Sequence, residues 1–142
     1  MQSCARAIVA RMSASSTMNN YAGMTYRAEN AIDGVLNTWW SPTTKQSGSK
    51  WLKYDFGSVI STTGINIHAG SHYLHFVSGS KDYGNIYTKN LRIKRAKVEF
   101  SDGSTEYIDL ADVDRIQNVY FQTTRLTSYI KITPINYYDQ YG

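Results

Sequence analysis

With 142 residues and 42% hydrophobic side chains, the chain has the length and apolar content for one domain around its own core, and a single module is expected over 1–142. Charged residues make up 18%, which argues against a disordered or coiled-coil chain, and the formal charge of +4 is scattered, so no nucleic-acid partner is implied. One cysteine, Cys4, excludes an intrachain disulfide, and no apolar run approaches the ~20 residues that a membrane-spanning helix needs.

The opening MQSCARAIVARM has too short an apolar stretch for a secretory signal, and Ala7 to Ala14 is expected to form a first strand. Met18 to Lys50 is long, polar and rich in Gly, Ser, Asn and Tyr. Leu52, Tyr54 and Phe56 then alternate with Lys53 and Asp55, the pattern of a half-buried strand, which Gly57 is expected to stop. Ile65 and Ile67 repeat the alternation after Gly64, and a second long polar segment follows from Ala69 to Lys89.

Ala96, Val98 and Phe100 alternate with Arg95, Lys97 and Glu99. The basic stretch Arg92, Lys94, Arg95 and Lys97 has the charge to meet phosphate or sulfate, but the alternation places Arg95 and Lys97 on a solvated sheet face. Ser101-Asp102-Gly103-Ser104 carries an Asp-Gly hairpin signal, and Ile108 and Leu110 lie on the returning strand. Val119 and Phe121 mark one further strand, and Leu126, Ile130 and Ile132 another. Pro134 falls late in the last, where a missing ladder donor is tolerated.

Helical periodicity is nearly absent, and about seven short strands predict an all-β fold, an antiparallel β-sandwich of the jelly-roll kind. Segments as long as the two polar ones are either functional or disordered in a compact domain. The 12 tyrosines suit sheet surfaces and recognition loops alike, so their excess does not choose between the two.

Catalytic constellations are missing from the sequence. His68, His72 and His75 have neither an H-E-x-x-H helix nor a cysteine partner for zinc. Gly79 to Gly84 has the glycine spacing of a phosphate loop, but Asn85 and Ile86 stand where Lys and Ser or Thr are required. No G-x-S-x-G elbow occurs, and Asp109, Asp112 and Asp114 read as solvated. A non-catalytic protein is expected.

The segment Ala28 to Trp40, AENAIDGVLNTWW, resembles the N-A-x-D-G-x-x-x-T-x-W signature of coagulation-factor type C (discoidin) domains and family 32 carbohydrate-binding modules. Trp51 to Gly57, WLKYDFG, is similar to the W-[LI]-x-[FVI]-D-[LF]-G strand of that group. Tyr87, Asn90 and Arg92, with Val98 to Ser104, resemble a bacterial subgroup, the NADase-type glycan-binding domain, which itself carries no NADase chemistry. The resemblance runs from about Ser13 to the C-terminus, more loosely over Asn136 to Gly142.

This resemblance implies a galactose-binding-domain-like, discoidin-like jelly roll that binds carbohydrate through loops at one end. It also implies an extracellular or cell-surface setting, as an appendage of a larger multidomain protein. The alternative within the same fold is an adhesion module for a protein or an anionic lipid surface.

The resemblance further implies a structural calcium, held by Asp33, Thr38 and a carbonyl of Asn30. Val35 stands where relatives often carry Asn or Asp. The other reading of Asp33 is a turn capped through its own backbone. Trp40 and Trp51 match positions buried in relatives, while Trp39 occupies a variable position, either turned inward or exposed as a sugar-stacking surface.

Recognition is expected in the second long segment. Sugars present apolar C–H faces that stack on aromatic rings, and hydroxyls that need fixed donors and acceptors. His72, Tyr73, His75, Tyr83, Tyr87, Asn90 and Arg92 supply that mixture. For Asn90 and Arg92 a second role stands beside ligand contact, tying the base of the loop by hydrogen bonds.

Overall fold

Leu52, Tyr54 and Phe56 point into the protein while Lys53 and Asp55 face outward, and this alternation fixes how the first half of the longest early strand is placed. The computed structural model describes residues 2–3, 9–20, 25–33, 38–43, 48–70, 73–75, 82–87 and 90–138, of which 2–3, 73–75 and 82–85 are described by their backbone course. The strands are β1 (Gln2–Ser3), β2 (Arg11–Ala14), β3 (Leu52–His68), β4 (Tyr73–His75), β5 (Asp82–Asn85), β6 (Arg92–Phe100), β7 (Thr105–Asp109) and β8 (Gln117–Tyr138). A short 3-10 helix spans Ala28–Ile32.

All pairings are antiparallel. The main sheet runs β1-β3-β8-β6-β7 with β2 also on β3, and β4 and β5 form a separate hairpin inside the second long segment. The architecture is the predicted antiparallel β-sandwich, but two of its strands are far longer than expected. Residues 52–56 and 65–67 belong to one strand of 17 residues, and 119–121 and 126–132 to one of 22.

Gly57 does not stop β3. At φ 76° it forms an irregularity within the strand, its N–H bonded to Asp55 Oδ1 at 3.3 Å. The ladder between β3 and β8 slips there and again between Thr62 and Gly64. The inward set changes phase across these slips, from Leu52, Tyr54 and Phe56 to Ile65 and Ile67. Both halves of the two long strands therefore bury against one core, which also takes Ala96, Val98 and Phe100 from β6 and Ile108 from β7. Leu52, Ile67, Val98 and Ile132 are fully enclosed, and each contributes about 1.5–3 kcal/mol.

The hairpin between β6 and β7 forms where the Asp-Gly pair predicts it, with Asp102 Oδ1 accepting from the Ser104 N–H at 2.8 Å. Pro134 pairs with Ala96 next to a register slip and beyond the Leu52–Ile132 end of the β3 ladder, so its missing N–H leaves no gap there. Leu126 is an exception to the predicted core: it faces solvent, because the strand is out of phase at that point. Arg95 and Lys97 lie on the outer face, paired with Asp109 and Glu99, whereas Arg92 turns inward.

Candidate functional site

The two long polar segments are tied together by their own side chains. In the first, the 3-10 helix buries Asn30, whose Nδ2 donates to Thr25 O at 2.8 Å and to Trp39 O at 3.4 Å. One amide thus joins the entry and the exit of the turn. Asp33 closes the helix, and its carboxylate accepts a hydrogen bond from the Thr38 hydroxyl.

Trp39 is buried, contrary to an exposed stacking platform. Its ring packs against Tyr26 at 5.8 Å between centroids, in a small cluster with Ile86 from the second segment. The physical reason is the apolar partner that the second segment brings over it. Trp40 is also buried, its indole N–H donating to Ser16 O at 3.0 Å. Trp51, expected to be buried, is half-exposed on the outer face, with the Lys131 ammonium 4.9 Å above its ring.

The base of the second segment is a polar cluster. Arg92, 1% exposed, donates from Nε and Nη2 to the two carboxylate oxygens of Asp112 and from Nη1 to Asn90 O at 3.2 Å. The Tyr87 hydroxyl donates to Asp112 Oδ1 at 2.9 Å, and the guanidinium lies 5.3 Å from the Tyr87 ring centre. The His68 ring packs against Tyr87, with centroids 5.7 Å apart and the planes nearly perpendicular. The neutral ring accepts at Nδ1 from the Gly70 N–H and donates from Nε2 to Asp114 Oδ1 at 2.8 Å.

These contacts set the ionisation states. Burial pushes His68 below the ordinary histidine value, against the opposing pull of Asp114. Burial, and then the bond to Asp112, push the Tyr87 hydroxyl well up. Hydrogen bonds from Arg92 hold the Asp112 carboxyl below its usual range, and the same bond raises Arg92. At neutral pH the cluster is an ion pair flanked by a neutral tyrosine and a neutral histidine.

The predicted contact residues therefore divide. Trp39, Tyr87 and Arg92 are buried, and the Tyr87 hydroxyl and the Arg92 guanidinium are bonded to Asp112, so all three brace the segments. Asn90 is exposed at the rim, its carbonyl held by Arg92. The backbones of Tyr73, His75 and Tyr83 lie in the β4–β5 hairpin, while their side chains, and all of His72, fall outside the described residues. Asp112 and Asp114 are what the sequence missed. Asp112 is exposed but bonded, and neither its spacing of 20 from Arg92 nor that of 46 between Asp114 and His68 leaves a local signal.

Asp33 and Thr38 bring two hard oxygens together, the donor type calcium takes, where calcium coordinates six to eight. The Asn30 amide is occupied as a donor, so what that residue has to offer a cation is its carbonyl oxygen. Among the described residues no three His, Cys, Asp or Glu side chains converge as a metal site.

The fold is that of a discoidin-like β-sandwich. The chain belongs to the NAD glycohydrolase translocation F5/8 type C domain family, which it matches over residues 3–141. Among solved structures it is similar to the family 32 carbohydrate-binding module of Clostridium perfringens NanJ in complex with galactose, with 18% identity, TM-score 0.61, and coverage of 95% of this chain and 88% of that one. It is also similar to a family 32 module of a second C. perfringens protein, CpGH89, in complex with GalNAc-β-1,3-galactose (14% identity, TM-score 0.64, coverage 95% and 89%). A third likeness is to chitosan-binding module 1 of a Paenibacillus sp. IK-5 chitosanase/glucanase (16% identity, TM-score 0.58, coverage 93% and 86%). At these identities the likeness is one of fold. A comparison with curated proteins gave no match.

Proposed function

We propose that the chain is a single non-catalytic carbohydrate-binding module, and that it recognises glycans through its second long segment. The observation that carries this reading is the bracing of that segment on a fold similar to that of modules solved in complex with sugars. Trp39 and Ile86 fasten it to the first segment, and Arg92, Tyr87 and Asp112 fasten its base. The β4–β5 hairpin, which precedes Ile86, Tyr87 and Arg92 in the chain, carries Tyr73, His75 and Tyr83, with His72 next in sequence and Asn90 exposed. In this reading the aromatic rings stack on sugar C–H faces and the His and Asn groups orient the hydroxyls.

Calcium at Asp33, Thr38 and the Asn30 carbonyl would supply rigidity to the first segment, with no part in chemistry. The module rides on a larger secreted or surface protein and gains strength from repetition, because shallow single sites bind weakly. The test is a glycan array of the wild type beside Tyr73→Ala, with and without calcium chelation. Binding lost in Tyr73→Ala at unchanged thermal stability supports the reading. Silence across the array would transfer the assignment to a protein or an anionic lipid surface.

A further inference from the structure

The outer face of the main sheet carries a square of two rings and two lysines. Leu52, Tyr54, Ile130 and Ile132 turn into the core, so Trp51, Lys53, Tyr129 and Lys131 face outward, each half-buried. Lys53 and Lys131 are register partners on β3 and β8. Each ammonium lies over an aromatic ring of the other strand. Lys53 Nζ stands 4.2 Å from the Tyr129 ring centre, and Lys131 Nζ 4.9 Å from that of Trp51. None of the four belongs to the two long polar segments.

Like charges directly opposite each other on a sheet repel. Two carboxylates flank the pair, and each has a cation of its own. Glu99, the register partner of Lys131 on β6, is 3.6 Å from Lys97. Asp55, next along the outer face of β3, accepts from the Gly57 N–H and is the register partner of Arg11. Among the described residues no ion pair involves Lys53 or Lys131. The cations continue diagonally across the sheet, from Lys53 and Lys131 to Lys97 and Arg95 on β6. Arg95 is paired with Asp109 at 3.1 Å and lies over the Tyr107 ring.

A free lysine gives up rotamer freedom when it holds a ligand, whereas a ring beneath the ammonium has already restricted it. The same stacking occupies a face of each ring, so the square offers positioned charge more than open aromatic surface. Base stacking and insertion into a bilayer both need that open surface. A sulfate ester has three terminal oxygens and can accept from two neighbouring ammonium groups at once. We propose that this face is an anion-binding surface for a sulfated polysaccharide, one sulfate bridging Lys53 and Lys131 and the chain running on toward Lys97. The site is separate from the second long segment and does not depend on it.

The experiment measures binding of the whole chain to immobilised dextran sulfate as salt is raised. Uncharged dextran, poly-glutamate and phosphatidylserine vesicles are run beside it. Lys53→Gln and Lys131→Gln, singly and together, are compared with Arg115→Gln, which removes one exposed charge between β7 and β8. Tyr73→Ala is included, and circular dichroism checks the fold of each variant. The expected result is salt-sensitive binding to dextran sulfate alone, weakened about threefold by each lysine change and about tenfold by both. Arg115→Gln and Tyr73→Ala should bind as the wild type does.

Equal losses in Lys131→Gln and Arg115→Gln would mean that the polymer reads only overall charge, and would overturn the site. Tighter binding to poly-glutamate or to the vesicles would overturn the glycan in favour of an acidic peptide or a membrane. No binding to dextran sulfate at low salt would overturn the proposal outright. The glycan array of the preceding section is read separately, so this face can fail while the module reading stands.

Discussion

The Arg92 guanidinium holds both carboxylate oxygens of Asp112, Nε to Oδ1 at 3.1 Å and Nη2 to Oδ2 at 2.8 Å, across 20 residues of chain. The pair is asymmetric in burial, with Arg92 side-chain exposure 1% and that of Asp112 33%. Asp112→Ala strands a buried cation and is expected to cost about 3–5 kcal/mol. Arg92→Met leaves a carboxylate that water can reach again, for a loss of about 1–2 kcal/mol. Urea denaturation of the two variants checks the order. The reverse order would mean that packing of the arginine stem outweighs its charge.

The His68 pair makes stability depend on pH. Its folded pKa lies below the ordinary value of 6.5, so the unfolded chain binds this proton more readily. Stability is therefore full above 6.5 and falls as pH drops from there through the folded value. Asp112 acts lower down, because its folded pKa is depressed: its contribution persists above the ordinary 3.8 and is lost below it. Melting curves between pH 7.5 and 5 should fall for the wild type and be flatter for His68→Gln. Parallel slopes would remove His68 as the cause.

Calcium binding at Asp33 and Thr38 would raise the melting temperature by roughly 5–10 °C at a hundredfold excess over Kd, given one site in a domain of this size. Asp33→Ala should abolish the rise. A melt indifferent to calcium in both proteins would assign Asp33 to capping its turn alone.

Trp39 separates bracing from stacking. Trp39→Ala empties the cluster it shares with Tyr26 and Ile86, at a cost of about 3 kcal/mol. Trp39→Phe keeps an apolar ring there and should retain both fold and glycan binding. Thermal unfolding beside the array measures both, and loss of binding in a fully stable Trp39→Phe protein would return the indole to the ligand.

Local pattern alone determined the all-β class, the inward faces of β6 and of the first half of β3, and the hairpin at Asp102, since each follows from period-2 alternation or turn chemistry within a few residues. The N-A-x-D-G-x-x-x-T-x-W signature likewise located the first loop turn. Tertiary structure decided the rest. A glycine with positive φ is compatible with a stop or with a bulge, and only pairing with β8 made Gly57 the latter. Trp39 could face either way until Ile86 covered it, and Asp112 and Asp114 looked solvated until the chain returned them to Arg92 and His68. Those contacts join residues 20 to 47 apart in sequence, where no periodicity reaches, so the direction of a side chain was fixed by what the fold laid against it.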